Sequence, residues 1–134
     1  MGHYAPLITE RGIMQINLSH KTLHFKKPAR TSRGEYTTHN MIVITIMDEN
    51  SQRIGLGECA PLPDLSCDRD AYTRMSDVAK LINKALQSDD YTEVLRPYPA
   101  LLFALESAMY DYQQNPLLYD TPFARGETGI PANG

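Results

Sequence analysis

The chain has no tryptophan, three phenylalanines, two cysteines, and no apolar run that approaches a membrane span. Each shortage excludes something. Two cysteines make no disulfide framework, and Cys59 and Cys67 fit neither a Cys-x-x-Cys redox pair nor half of a zinc site. They read as reduced thiols in a cytoplasmic protein. A transmembrane helix needs roughly 20 apolar residues, and no basic start with an apolar core marks a signal peptide, so no membrane partner is expected. Positive charge is also short: 13 Lys and Arg face 16 Asp and Glu, for a net charge of −3 and a pI near 5.7. That balance argues against nucleic acid as a general partner. At 134 residues the chain is one domain with a real core. It is too short for a (β/α)₈ barrel, which takes roughly 200 residues or more.

What is present is a change of hydrophobic period along the chain. Residues 1–13 show neither a helical nor a strand period and read as a leader or tag-like segment, poorly ordered. Met14, Ile16 and Leu18 alternate with Gln15, Asn17 and Ser19, the pattern of a half-buried strand. The odd spacing from Leu18 to Leu23 predicts a bulge near residues 20–22, and Pro28, which lacks a ladder donor, predicts the strand's end. A polar loop follows over 29–40. Residues 41–47 are apolar on both faces, as in a central strand. Residues 48–52 are turn formers, and 54–59 return as a third strand whose Gly55 and Gly57 demand close approach of another backbone or a ligand.

From Asp68 the period becomes helical. Tyr72, Met75, Ala79, Ile82 and Leu86 share a face, with Ser66 or Asp68 placed to cap the helix. Residues 88–90 break it, 91–95 add a turn, and a second long helix runs from about 99 to 114 with Leu101, Leu105, Ala108 and Tyr112 inward. Asn115-Pro116 ends it. The expected fold is one α+β domain over 14–116: a three-stranded antiparallel meander followed by a small helical bundle. Residues 117–134 have no period and read as a linker.

Two loops stand out chemically. Between His20 and Gly34 lie Lys21, Lys26, Lys27, Arg30 and Arg33 with no acidic residue. Scattered solvated charge explains such a loop; so does a guanidinium fork presented to a carboxylate, which Lys cannot imitate. Thr31-Ser32-Arg33-Gly34 is the candidate segment, with Gly34 allowing a tight fold. The second loop, 58–68, carries Pro61 and Pro63, which stiffen it, and Leu62 and Leu65, which are apolar for an idle surface loop. Those leucines either seal the sheet or meet a ligand. Glu58 is a lone carboxylate and is not assigned a catalytic role. His3, His20, His24 and His39 have no metal-ligand spacing, and no nucleophile–base pair or phosphate loop is present. No catalytic and no metal-binding residue is assigned in this chain.

The order of these features, from Leu23-His-Phe-Lys-Lys-Pro28 through Gly55-Leu-Gly-Glu-Cys-Ala-Pro61 and Ala104-Leu-Glu…Asp111 to Ile130-Pro-Ala-Asn-Gly134, resembles the N-terminal capping domain of the enolase superfamily. Within it the order is most similar to o-succinylbenzoate synthase; Ala132, where a larger aliphatic is usual, departs from the pattern. The resemblance implies the cap of a longer enzyme. Its two loops, with Thr31, Ser32, Arg33, Gly34, Leu62 and Leu65 as substrate-binding residues, would close over a barrel absent from this chain. That barrel would supply lysine bases and Mg²⁺ for a syn-dehydration in menaquinone biosynthesis. The implied partner is a small dicarboxylate substrate. The chain by itself is expected to be inactive, to bind no Mg²⁺, and to self-associate through exposed apolar surface. The cap of a dipeptide epimerase or muconate cycloisomerase is an alternative; a free-standing α+β binding or assembly module is another of a different class.

Overall fold

The computed structural model describes residues 3–9, 12–48, 53–113 and 119–132, with side chains from Met14 onward. Four strands form one antiparallel sheet in chain order: β1 (His3–Thr9), β2 (Gly12–Thr31), β3 (Gly34–Asp48) and β4 (Ile54–Cys59). A 3₁₀ turn (Arg69–Tyr72) and three helices follow, α1 (Met75–Gln87), α2 (Tyr91–Leu95) and α3 (Pro99–Tyr112). The expected meander is β2–β3–β4. All helices pack on one face of the sheet, α1 toward β1 and β2, α3 over β3 and β4.

The core follows the two periods. Ile16 and Leu18 from β2, Ile42, Ile44 and Ile46 from β3, and Cys59 from β4 are buried together with Val78, Ile82, Leu95, Leu101 and Leu105. Truncating one such side chain to Ala costs about 2–5 kcal/mol. On the opposite face Ile54 and Leu56 are exposed, so the sheet is covered on one side only.

Four expectations are corrected. Residues 1–13 lack a period, yet His3–Thr9 pairs with Gly12–Leu18 as an edge strand. An edge strand tolerates Pro6. The bulge is not at 20–22: the β2–β3 register is unbroken from Met14 to His24, then four residues, 25–28, lie opposite Thr37 alone. Leu23 is exposed and has the parity of Asn17 and Lys21, so its odd spacing reflects a ribbon without a core face. Pro28 falls inside this irregularity and does not end β2, which resumes pairing at Ala29. The loop over 29–40 is therefore mostly hairpin, with Ser32 and Arg33 as its turn.

The fourth correction concerns capping. α1 begins at Met75 with no side-chain cap, and Ser66 and Asp68 do not serve it. The buried Asp68 carboxylate instead accepts the Ala100 N–H of α3 at 2.9 Å and the Tyr72 hydroxyl. The Leu101 N–H donates to the Tyr72 oxygen at 3.2 Å. Two orphan donors of α3 are thus satisfied by Asp68, 32 residues earlier, and by Tyr72 of the 3₁₀ turn, 29 residues earlier. The hairpin turn expected over 48–52 lies mainly outside the described residues; the Asp48 N–H donates to the Arg53 carbonyl at 3.3 Å beside it.

The two glycines of β4 receive α3 directly. A Cβ on Gly57 would stand 1.9 Å from the Ala104 carbonyl oxygen, and one on Gly55 2.2 Å from that of Ala108. No rotamer relieves a clash with backbone. Gly57→Ala is therefore expected to destabilise the fold by at least the ~1–3 kcal/mol typical of overpacking, read as the urea midpoint. Gly129→Ala, where nothing lies within 4 Å, is the control; equal midpoints would refute the contact.

Candidate functional site

The β2–β3 hairpin outgrows the sheet. β1 pairs only with residues 12–18 and β4 only with 42–47, so residues 19–41 form a two-stranded ribbon beyond both neighbours. At its tip Gly34 has φ +143°, a conformation side chains disfavour. The Thr31 hydroxyl accepts the Arg33 N–H at 3.2 Å and donates to the Gly34 carbonyl at 3.4 Å, fixing the turn. Arg30 pairs with Glu35 across the strands at 3.0 Å. Arg33 has no such partner among the described residues.

Opposite the ribbon runs the second loop. It leaves β4 at buried Cys59 and reaches buried Asp68. Leu62 N–H donates to Ser66 Oγ at 2.8 Å, and Ser66 N–H to the Leu62 carbonyl at 3.0 Å, closing a compact turn. Leu62 is 40% and Leu65 54% exposed; they do not seal the sheet.

Between ribbon and loop lies an open cleft of about 750 Å³. Thr31, Ser32 and Arg33 line one wall, Leu62 and Leu65 the other. Five of the six candidate residues thus share one cleft; Gly34 shapes the turn but does not line it. His20 and His39 also line it, and Glu58 lies outside.

Among the lining residues that escaped the sequence reading are Tyr36, Asp64 and Arg69. The Tyr36 hydroxyl donates to Asp64 and joins ribbon to loop. This bond holds the Asp64 carboxyl below the usual carboxylate range, with nearby Arg33 and Arg69 adding to the effect, and it raises the Tyr36 phenol. Arg69 donates to the Ser66 carbonyl at 2.9 Å. An aspartate after a proline, and a tyrosine in a polar stretch, give little signal alone. Only the hairpin register, which carries Tyr36 opposite Ala29, brings them together.

Other polar groups have structural partners. Asp111 accepts the Leu56 N–H on the β4 edge at 2.8 Å, and Glu106 accepts the Tyr91 hydroxyl at 3.3 Å. Burial, with Asp68 nearby, pushes the Cys59 thiol up to about 12, so it has almost no thiolate at neutral pH. Among the described residues no group of three or more His, Cys, Asp or Glu could hold a metal ion, and no helix is long and apolar enough to cross a membrane.

Two measurements check this geometry. At pH 8 the exposed Cys67 should react rapidly with a disulfide reagent, while Cys59 reacts only on unfolding; two fast thiols in the native protein would contradict the buried site. In an NMR titration, Tyr36→Phe should return Asp64 toward the ordinary carboxylate range. Because the folded value is the lower one, the bond's stabilisation is present above the ordinary range and lost as pH falls through the depressed value. An unaltered midpoint in the variant would mean that the bond does not form.

No protein-family model and no curated protein matches the chain. Solved structures do. A probable mandelate racemase from Alicyclobacillus acidocaldarius superposes with a TM-score of 0.52 at 21% identity over 75% of this chain and 30% of that one. A mandelate racemase/muconate lactonizing protein from Herpetosiphon aurantiacus gives 0.54 at 18% identity over the same shares. The L-Ala-D/L-Glu epimerase of Bacillus subtilis, in a substrate-liganded complex, gives 0.50 at 22% identity over 84% of this chain and 33% of its own. The chain spans about a third of the length of these proteins and shares the fold of that part.

Proposed function

We propose that this domain is the substrate-selecting cap of an enolase-superfamily enzyme and that its cleft holds the distal part of an anionic substrate, of the o-succinylbenzoate synthase type. One observation carries the reading: the basic hairpin tip and the apolar proline-stiffened loop, 28 residues apart at their Tyr36–Asp64 contact, wall a single cleft. Arg33 offers a charge-assisted fork to a carboxylate. Leu62 and Leu65 offer apolar surface to a ring or chain beside it. A dicarboxylate with an apolar body suits both walls.

The cap binds and orients; it moves no proton. On this reading Mg²⁺ and the bases acting with it reside in a barrel beyond this chain. Among the described residues no group of three or more His, Cys, Asp or Glu fits a metal. The lyase reaction and a menaquinone pathway are part of the proposal.

A dipeptide epimerase cap is the second reading. The Bacillus subtilis epimerase superposes over the larger share of this chain, 84%, and a glutamyl dipeptide is also a dicarboxylate. In an enzyme carrying this cap, Arg33→Ala should raise KM for its dicarboxylate substrate more than it lowers kcat. A remote clamp contributes binding shared by ground and transition states, worth about 1.5–3 kcal/mol for a hydrogen bond to a charged group, or roughly 10- to 150-fold. Turnover of the synthase substrate against L-Ala-L-Glu separates the two readings. An unchanged KM would return Arg33 to the solvated surface.

A further inference from the structure

The cleft contains a carboxylate of its own. Asp64 stands on the loop wall, takes the Tyr36 hydroxyl, and lies close enough to Arg33 and Arg69 for both to act on it, yet forms an ion pair with neither among the described residues. Three other arginines of the described surface do pair: Arg30 with Glu35, Arg96 with Glu93, Arg125 with Asp120 and Glu127. The two cleft arginines, one on each wall, have no ion-pair partner among the described residues, although Arg69 gives one N–H to the Ser66 carbonyl. The acceptor near both is held by a tyrosine.

We propose that Asp64 is an internal competitor for a ligand carboxylate: Tyr36 parks it, and Arg33 and Arg69 together take the carboxylate that enters. The inference rests on the reading of the cleft as a carboxylate site and makes Arg69 and Asp64 specificity-determining residues for it. Two guanidinium groups on opposite walls suit a ligand with an anionic end that bridges them. A fixed carboxylate between them repels any second negative charge placed nearby, so the cleft selects where the ligand's charge sits as well as how much it carries. Tyr36 matters because a phenol donor satisfies Asp64 without neutralising it. The arginines therefore remain available, whereas a direct Asp64–Arg pair would spend one of them.

The substitutions separate charge from shape. Asp64→Asn keeps an oxygen that accepts from Tyr36 and removes the competing charge. Tyr36→Phe keeps the charge and frees it to swing toward the arginines. The ¹⁵N-labelled chain, titrated with succinate at pH 7 and low salt, is read at the backbone amides of the tip and second loop and at the arginine Nε–H signals. Asp64→Asn should bind succinate about three- to fivefold more tightly than the unsubstituted chain, the scale of one exposed charge interaction. Tyr36→Phe should bind more weakly, and Arg69→Ala should lose affinity as Arg33→Ala does. Succinamide, the neutral analogue, should bind none of them. If succinate binding depends on Arg33 while Asp64→Asn leaves it unchanged or weaker, Asp64 is no competitor and this inference fails with the cleft reading intact. If neither the unsubstituted chain nor Asp64→Asn binds succinate, the carboxylate reading of the cleft fails as well.

Discussion

The close seating of α3 on β4 sets the rest of the geometry. The carbonyls of Ala104 and Ala108 occupy the space that side chains at Gly57 and Gly55 would fill, so helix and strand meet backbone to backbone. Only small residues allow this, and alanines on the helix face complete the fit. The approach places Asp111 within reach of the Leu56 N–H, so the helix also satisfies a donor on the outer edge of β4. An unpaired strand edge is a liability. Here a carboxylate covers part of it, which gives Asp111 a physical role without chemistry.

The other end of α3 is held with equal economy. Asp68 and Tyr72 accept the first amides of the helix, and Asp68 closes the second loop. Because that loop starts at Cys59, itself buried against the core, both of its ends are fixed by the contacts that seat α3. A helix N-terminus favours a carboxylate, and this one is supplied by the loop rather than by a ligand. The leucines of the cleft are therefore displayed from a rigid frame. Their exposure is a consequence of that frame, since the short span between two buried anchors leaves Leu62 and Leu65 no route inward.

Legibility in the sequence followed burial. The meander and the inward face of α3 were written in hydrophobic period, and those residues are largely the buried ones. Of the helical face read from period after Asp68, Ile82 is buried while Tyr72, Met75, Ala79 and Leu86 are partly buried, and Val78 and Ala85 complete the buried face of α1. Gly55 and Gly57 could be read as a demand for close approach, although not for which partner. Errors fell where period carries no information. The ribbon over 19–41 has no core face, so Leu23 and Pro28 misplaced a bulge and a strand end. The edge strand His3–Thr9 pairs with Gly12–Leu18 although its residues show no alternating period. Capping by Asp68 was assigned to the nearest helix because sequence shows only what is near in sequence. The basic tip and the leucine loop were each visible as unusual, but their meeting across one cleft depends on register and on Tyr36 and Asp64, neither unusual alone.

The basic residues of the ribbon divide into two kinds. Beyond residues 18 and 42 both outer edges of the hairpin lack a neighbouring strand, and charged side chains and a proline are the usual means of discouraging foreign strands there. Lys21, Lys26, Lys27 and Pro28 are well placed for that duty, and Arg30 is spent on Glu35. Arg33 serves neither purpose: it sits in the turn, where no edge needs guarding, and it faces the cleft. The ribbon that carries it is held by the β2–β3 ladder, interrupted at 25–28, and by the Tyr36–Asp64 bond, whereas the opposite wall is pinned to the core. One wall is therefore fixed and joins Leu62 and Leu65 to the charged Asp64 and Arg69; the other is compliant and carries Arg33. A fixed wall facing a compliant one is the arrangement on which the proposed selection of a ligand by the position of its charge rests.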